Sequence, residues 1–87
     1  MARKDIIENE PSFLIHQRPY SETSQIIHVF SHKFGRMDLI AKGSKRPKSK
    51  FKSLLQPFLP LRLSWSGRSQ LKTLREAEIS GENISNI

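Results

Sequence analysis

The chain has 87 residues, no cysteine, 15 Lys+Arg against 8 Asp+Glu, and a formal net charge of +7. That length holds one small domain with an economical core. The absence of cysteine excludes a disulfide framework and a thiolate metal site, and it fits a reducing compartment. No apolar run approaches the ~18 residues of a transmembrane helix, and the opening MARKDIIENEP lacks the apolar stretch of a secretory signal. A cytoplasmic protein without membrane contact is expected.

In chain order, residues 1–11 are polar and end at Pro11, which reads as a loose lead. Residues 12–19 (SFLIHQRP) form a first strand, with Pro19 near its end. A polar connection, Tyr20 to Ser24, leads to a second, β-branched and aromatic strand over 25–32. Gly35, free to adopt positive φ, sits in the turn that follows. Residues 37–42 form the third strand, with Met37, Leu39 and Ala41 on one face and Asp38, Ile40 and Lys42 on the other.

After Gly43 and a basic stretch, Phe51, Leu54, Leu55 and Phe58 fall at i, i+3, i+4 and i+7, the stripe of a short helix with Ser49 as cap and Pro57 as stop. Over 58–66, Leu59, Leu61, Leu63 and Trp65 alternate with polar or proline positions. A tight loop, Gly67-Arg68-Ser69, joins this fourth strand to a fifth over 70–78, whose imperfect alternation marks a bulge. The stretch from Ile79 to Ile87 is mostly polar. Three strands, a short helix and two strands is the element order of an all-β, five-stranded Greek-key OB-fold barrel, with the helix between strands 3 and 4. Closure also removes exposed sheet edges. An SH3-like barrel is the competing architecture, and it more often lacks that helix.

No catalytic constellation emerges. His28 and His32, four apart on a strand, stand roughly 13 Å from each other, too far to share a metal. The carboxylates are scattered, and neither a nucleophile elbow nor a phosphate-binding Gly-rich loop is present. A non-enzymatic protein without metal, cofactor or small-molecule substrate is expected.

Charge is the informative feature. Residues 33–75 carry twelve basic residues and a single acid, Asp38, while the flanking segments are net negative. Six of these cations, Lys42, Lys45, Arg46, Lys48, Lys50 and Lys52, fall within eleven residues broken by Gly43 and Pro47. A flexible basic loop of this kind tracks phosphates without reading sequence; the bland alternative is a solvated surface. Arg36 and Lys42 bracket the third strand, on the face that OB-folds use for nucleic acid. Aromatic side chains supply base stacking in such grooves. Phe34, in a turn between Lys33 and Arg36, is the preferred stacking residue. Trp65, Phe13 and Phe58 are assigned to the core, while Tyr20 and Phe30 are weaker stacking candidates. The candidate DNA-contacting set is Arg18, Phe34, Arg36, Lys42, Lys45, Arg46, Lys48, Lys50, Lys52 and Arg68. Two other readings remain open: an RNA-binding barrel of ribosomal or cold-shock type, and a module that docks acidic peptide tails.

Specific strings add to this. Arg18-Pro19-Tyr20-Ser21-Glu22-Thr23-Ser24, Phe34-Gly35-Arg36, Ala41-Lys42-Gly43-Ser44-Lys45-Arg46-Pro47-Lys48-Ser49, Leu55-Gln56-Pro57-Phe58 and Leu71-Lys72-Thr73-Leu74 occur in this order. Together, from about Phe13 to Glu76, they resemble the N-terminal domain of the RecO family of bacterial recombination mediators. The resemblance implies an OB-fold that binds single- and double-stranded DNA, promotes annealing and works with RecR and single-strand-binding protein. Its cationic surface corresponds to Arg36, Lys42, Lys45, Arg46, Lys48 and neighbours. Family members continue into a helical domain, and many carry a cysteine zinc site there. This chain ends at Ile87 without cysteine, so an isolated or truncated domain is expected. Residues 12–78 are then the OB domain, and 79–87 a tail or the start of the missing helical domain.

Overall fold

A computed structural model describes residues 6–80, which form five strands: β1 (Ile6–Pro19), β2 (Gln25–Ser31), β3 (Gly35–Ala41), β4 (Pro60–Ser66) and β5 (Leu71–Ile79). They close into a barrel in the order β1-β2-β3-β5-β4, with β1 also paired to β4. All neighbours are antiparallel except β3 and β5, which run parallel. This is the topology expected of an OB-fold.

β1 is long because it serves two partners. Its first half pairs with β4, and its second half with β2. The register shifts between Ile7 and Glu10, where Asn9 has φ 54°, and again between Leu14 and His16. Such bulges bend a strand and increase its twist, which lets one strand turn the corner of a small barrel. The expected lead over 1–11 is corrected accordingly. Residues 6–11 belong to β1, and the polar Glu10 and Ser12 occupy inward positions in the same alternation as Leu14. Residues 1–5 and 81–87, including most of the expected tail, lie outside the described residues.

The barrel interior holds Leu14, Ile27, Val29, Leu39, Ala41, Leu61, Leu63, Trp65 and Leu74. Trp65 is 1% exposed, as its leucine-bearing face predicts. The expected irregularity of the fifth strand is a register shift against β4 that leaves Arg75 without a partner.

The segment between β3 and β4 is not a helix. Arg46, Ser49 and Lys52 donate their N–H groups three residues back, to Gly43, Arg46 and Ser49, so the chain winds as successive turns. Leu54 and Leu55 both bond the carbonyl of Phe51, a single helical turn with Ser49 Oγ accepting the Phe51 N–H. One turn carries only the near part of the stripe: Phe51 and Leu55 are buried and plug the barrel end, while Phe58 points out with φ 65°. Pro57 instead bridges Leu14, and the Phe58 N–H bonds the Leu14 carbonyl at 2.9 Å.

Candidate nucleic-acid interface

All ten residues of the candidate set are exposed. The barrel sorts them into two groups. Arg18 ends β1, Lys42 follows β3, and Lys45, Arg46, Lys48, Lys50 and Lys52 lie on the turns beyond it, so seven cations gather at one end. Phe34 and Arg36, in and just after the β2–β3 turn, and Arg68, in the β4–β5 turn, lie at the other. Six residue steps of β3 separate the two groups, roughly 20 Å.

The first group is held more firmly than a flexible loop. The Gly43 N–H donates to Ser24 Oγ (3.2 Å), and the Lys45 N–H to the Thr23 carbonyl (3.0 Å). The buried Ser44 hydroxyl donates to Gln25 Oε1 (2.9 Å). These bonds lace the start of the basic segment to the β1–β2 connection. They fix backbone beneath exposed side chains, so fewer degrees of freedom remain to be lost when an anion binds. Between them lies a cleft of about 320 Å³ whose lining includes Gln17, Gln25, Lys45 and Lys52. Lys50 stands apart: its ammonium pairs with Glu76 of β5 at 3.1 Å and lies 5.4 Å from the Phe51 ring centroid. Both partners of that ion pair are exposed, which makes it weak and easily exchanged.

At the opposite end the β2–β3 turn is tied down by a residue of the expected lead. Glu10 is 5% exposed, and its Oε2 accepts from Ser31 Oγ (2.7 Å) and from the Lys33 N–H (2.6 Å). Ser31 Oγ in turn accepts the Phe34 N–H at 2.9 Å. The Phe34 ring meets Trp65 edge-on, with centroids 6.1 Å apart. Phe34 therefore caps the barrel over Trp65, and part of its surface is committed to packing. Lys72 caps the neighbouring turn, its ammonium donating to the carbonyls of Gly67 and Ser69. The only sequence signal for Glu10 is its place two and four residues before Ser12 and Leu14, on the inward face.

Phe13 and Phe58, assigned to the core from their residue type, are exposed on the outside of the barrel with Phe30. His28 also faces outward; its Nδ1 lies 2.7 Å from Asp38 Oδ1, and its ring stacks on His16. No group of three metal-ligating side chains occurs among the described residues. A broader concavity of about 690 Å³ opens along β1, β4 and β5, but Glu8, Glu76 and Glu78 line it beside Arg75, a sign of charge that repels phosphate. Among the described residues no helix is long and apolar enough to cross a membrane.

The family model described as "Recombination protein O N terminal" matches residues 6–82. A DNA repair protein RecO from Ralstonia nicotianae is 52% identical over 75 residues, covering 86% of this chain and 28% of that protein. One from Vibrio parahaemolyticus is 54% identical over 66 residues, 76% of this chain and 27% of that protein. One from Nitrosospira multiformis is 50% identical over 77 residues, 88% of this chain and 32% of that protein. The chain thus spans about a third or less of the length of these bacterial relatives. A matched span that takes in all five strands, at about half identity, makes this chain a member of the recombination protein O N-terminal family.

Proposed function

We propose that this chain is a non-catalytic DNA-binding domain with a RecO-like role in repair, acting on DNA in the bacterial cytoplasm. It holds the phosphate backbones of single and double strands through the cationic end of the barrel. The observation that carries this is the gathering of Arg18, Lys42, Lys45, Arg46, Lys48 and Lys52 on a backbone anchored to the β1–β2 connection. Cations presented this way neutralise phosphates irrespective of sequence. Neutralising two strands at once lowers their mutual repulsion, which is the physical requirement for annealing. The proposed role extends to partnership with RecR and single-strand-binding protein and to a contribution to recombinase loading, as the resemblance to RecO implies; the RecO relatives are about three times this length.

The test is affinity for a labelled single strand as a function of salt. If about four to six phosphates are neutralised, log K falls against log salt with a slope of roughly −3 to −4. A slope near zero, or no binding at low salt, refutes the reading.

A further inference from the structure

The outer face of β1 and β2 displays aromatic rings that the barrel does not use. Phe13 lies with its ring centroid 5.9 Å from Phe30 and 6.1 Å from Phe58, and the three are 36%, 45% and 70% exposed. One step along the same face, His16 stacks on His28 with centroids 5.8 Å apart and planes 16° from parallel. Two cross-strand ring pairs therefore follow each other at about the two-residue repeat of a strand, roughly 7 Å.

Phe58 is the most exposed of the rings and adopts φ 65°, a left-handed conformation that is strained for a bulky side chain. Fold stability alone favours glycine at such a position, or a ring turned inward. Here the backbone is instead pinned, through the Phe58 N–H to Leu14, so that the ring stands in solvent beside Phe13.

The charge next to these rings narrows what they can receive. Arg36 lies directly across from Phe30 in the β2–β3 register and makes no ion pair among the described residues. A wholly apolar partner laid over this face would bury that guanidinium without compensation. A nucleotide answers both features, with a flat base for the rings and a phosphate for Arg36. Further along the same face, past His28, Arg18 stands across from Ile26 and leads to the cationic end of the barrel.

We propose that Phe13, Phe30 and Phe58 form a stacking platform for unpaired nucleobases, so that a single strand crossing the outer face of β1–β3 is held by rings at one end and by the basic turns at the other. This rests on the DNA-binding reading above and adds a preference for single strands, whose bases are free to stack.

The experiment compares three labelled probes by anisotropy at one fixed low salt: oligothymidine, an abasic oligonucleotide of the same length, and a duplex. Removing one stacking ring is expected to weaken binding by about tenfold. The unaltered chain is expected to bind oligothymidine at least tenfold more tightly than the abasic strand. Phe58→Ala and Phe58→Leu should each lose about tenfold toward oligothymidine and nothing toward the abasic strand. Both should keep the parent's melting temperature, because the ring they alter is solvent-exposed. The double variant F13A/F30A should bring the two single strands to equal affinity. Equal, salt-sensitive binding of oligothymidine and abasic strand by the unaltered chain refutes stacking and leaves phosphate binding standing. No binding of any probe overturns both. Full retention of oligothymidine affinity in Phe58→Leu, or dissociation of a self-associated form on Phe58→Ala with unchanged probe ratios, shows an apolar protein contact instead and overturns the proposal.

Discussion

Replacing Glu10 by Ala tests the claim that a buried carboxylate, in a stretch that reads as polar lead, organises one end of the barrel. The substitution removes the acceptor for two donors, Ser31 Oγ at 2.7 Å and the Lys33 N–H at 2.6 Å, at a site that is 5% exposed. Hydrogen bonds to charged groups contribute about 1.5–3 kcal/mol each, so losing two costs about 3–6 kcal/mol. A domain of this size has about 4–13 kcal/mol in total. At about 4–8 °C per kcal/mol, the melting temperature should fall by roughly 12–48 °C. Glu10→Gln keeps one oxygen acceptor and should lose less than half as much. Thermal and urea melts read by far-ultraviolet circular dichroism give the global number. The fluorescence of Trp65, the single tryptophan, gives the local one, because the Phe34 ring against it is held through Ser31. An Ala variant whose melting temperature stays within about 4 °C, corresponding to under about 1 kcal/mol, refutes the assignment.

Two further outcomes follow from the same geometry. Truncating Trp65 to Ala should cost about 3–5 kcal/mol by cavity formation and leave the chain largely unfolded. In the unaltered chain Trp65 emission should be blue-shifted and indifferent to iodide and to DNA, and quenching by a single strand in a stable protein would contradict its place in the core. Replacing Lys45, Arg46 and Lys48 together by Ala should flatten the salt slope of DNA binding by about two units while leaving the melting curve unchanged. Unaltered affinity would move the interface elsewhere.

The barrel itself was legible because its signals are periodic. Leu61, Leu63 and Trp65 alternate inward as expected, Gly35 takes φ 73° at the predicted turn, and Pro19 ends β1. What escaped was whatever depends on a local break in that periodicity. Bulges at Asn9 and Ile15 let a chain of mixed character continue as one long strand. Polarity concealed Glu10, because burial of a carboxylate is decided by donors from 21 and 23 residues away. Residue type misled at Phe13 and Phe58. A ring is assigned inward by default, and the stripe that carried Phe58 inward required two helical turns where the chain makes one. For the candidate site, charge alone showed which side chains are exposed, but not that they divide between two ends. That division follows from the length of β3 and from closure of β1 onto β4.

The two ends differ in how they are built, and this bears on what each can contribute. At the cationic end the anchoring bonds run between backbone groups and small hydroxyl or amide side chains, so the anchoring itself uses no lysine or arginine head, and of these cations Lys50 is the one that pairs with a carboxylate among the described residues, that of Glu76. Binding there is expected to be strong, salt-dependent and indifferent to base identity. At the Phe34 end, a carboxylate and a hydroxyl take up backbone donors, and Lys72 spends its ammonium on turn carbonyls. That end is braced against Trp65 and offers fewer free cations. The outer face that joins them carries Arg36 and Arg18 with rings between, and one carboxylate, Asp38, paired to His28. A polyanion drawn to the basic turns by long-range attraction can therefore be extended along β1–β3 by contacts that fall off within a few ångströms. Under the proposed function, affinity would be set mainly at one end and the choice between paired and unpaired strands along the face. The variants at Lys45, Arg46 and Lys48 and those at Phe13, Phe30 and Phe58 should then separate cleanly, the first changing the salt slope and the second the ratio between probes.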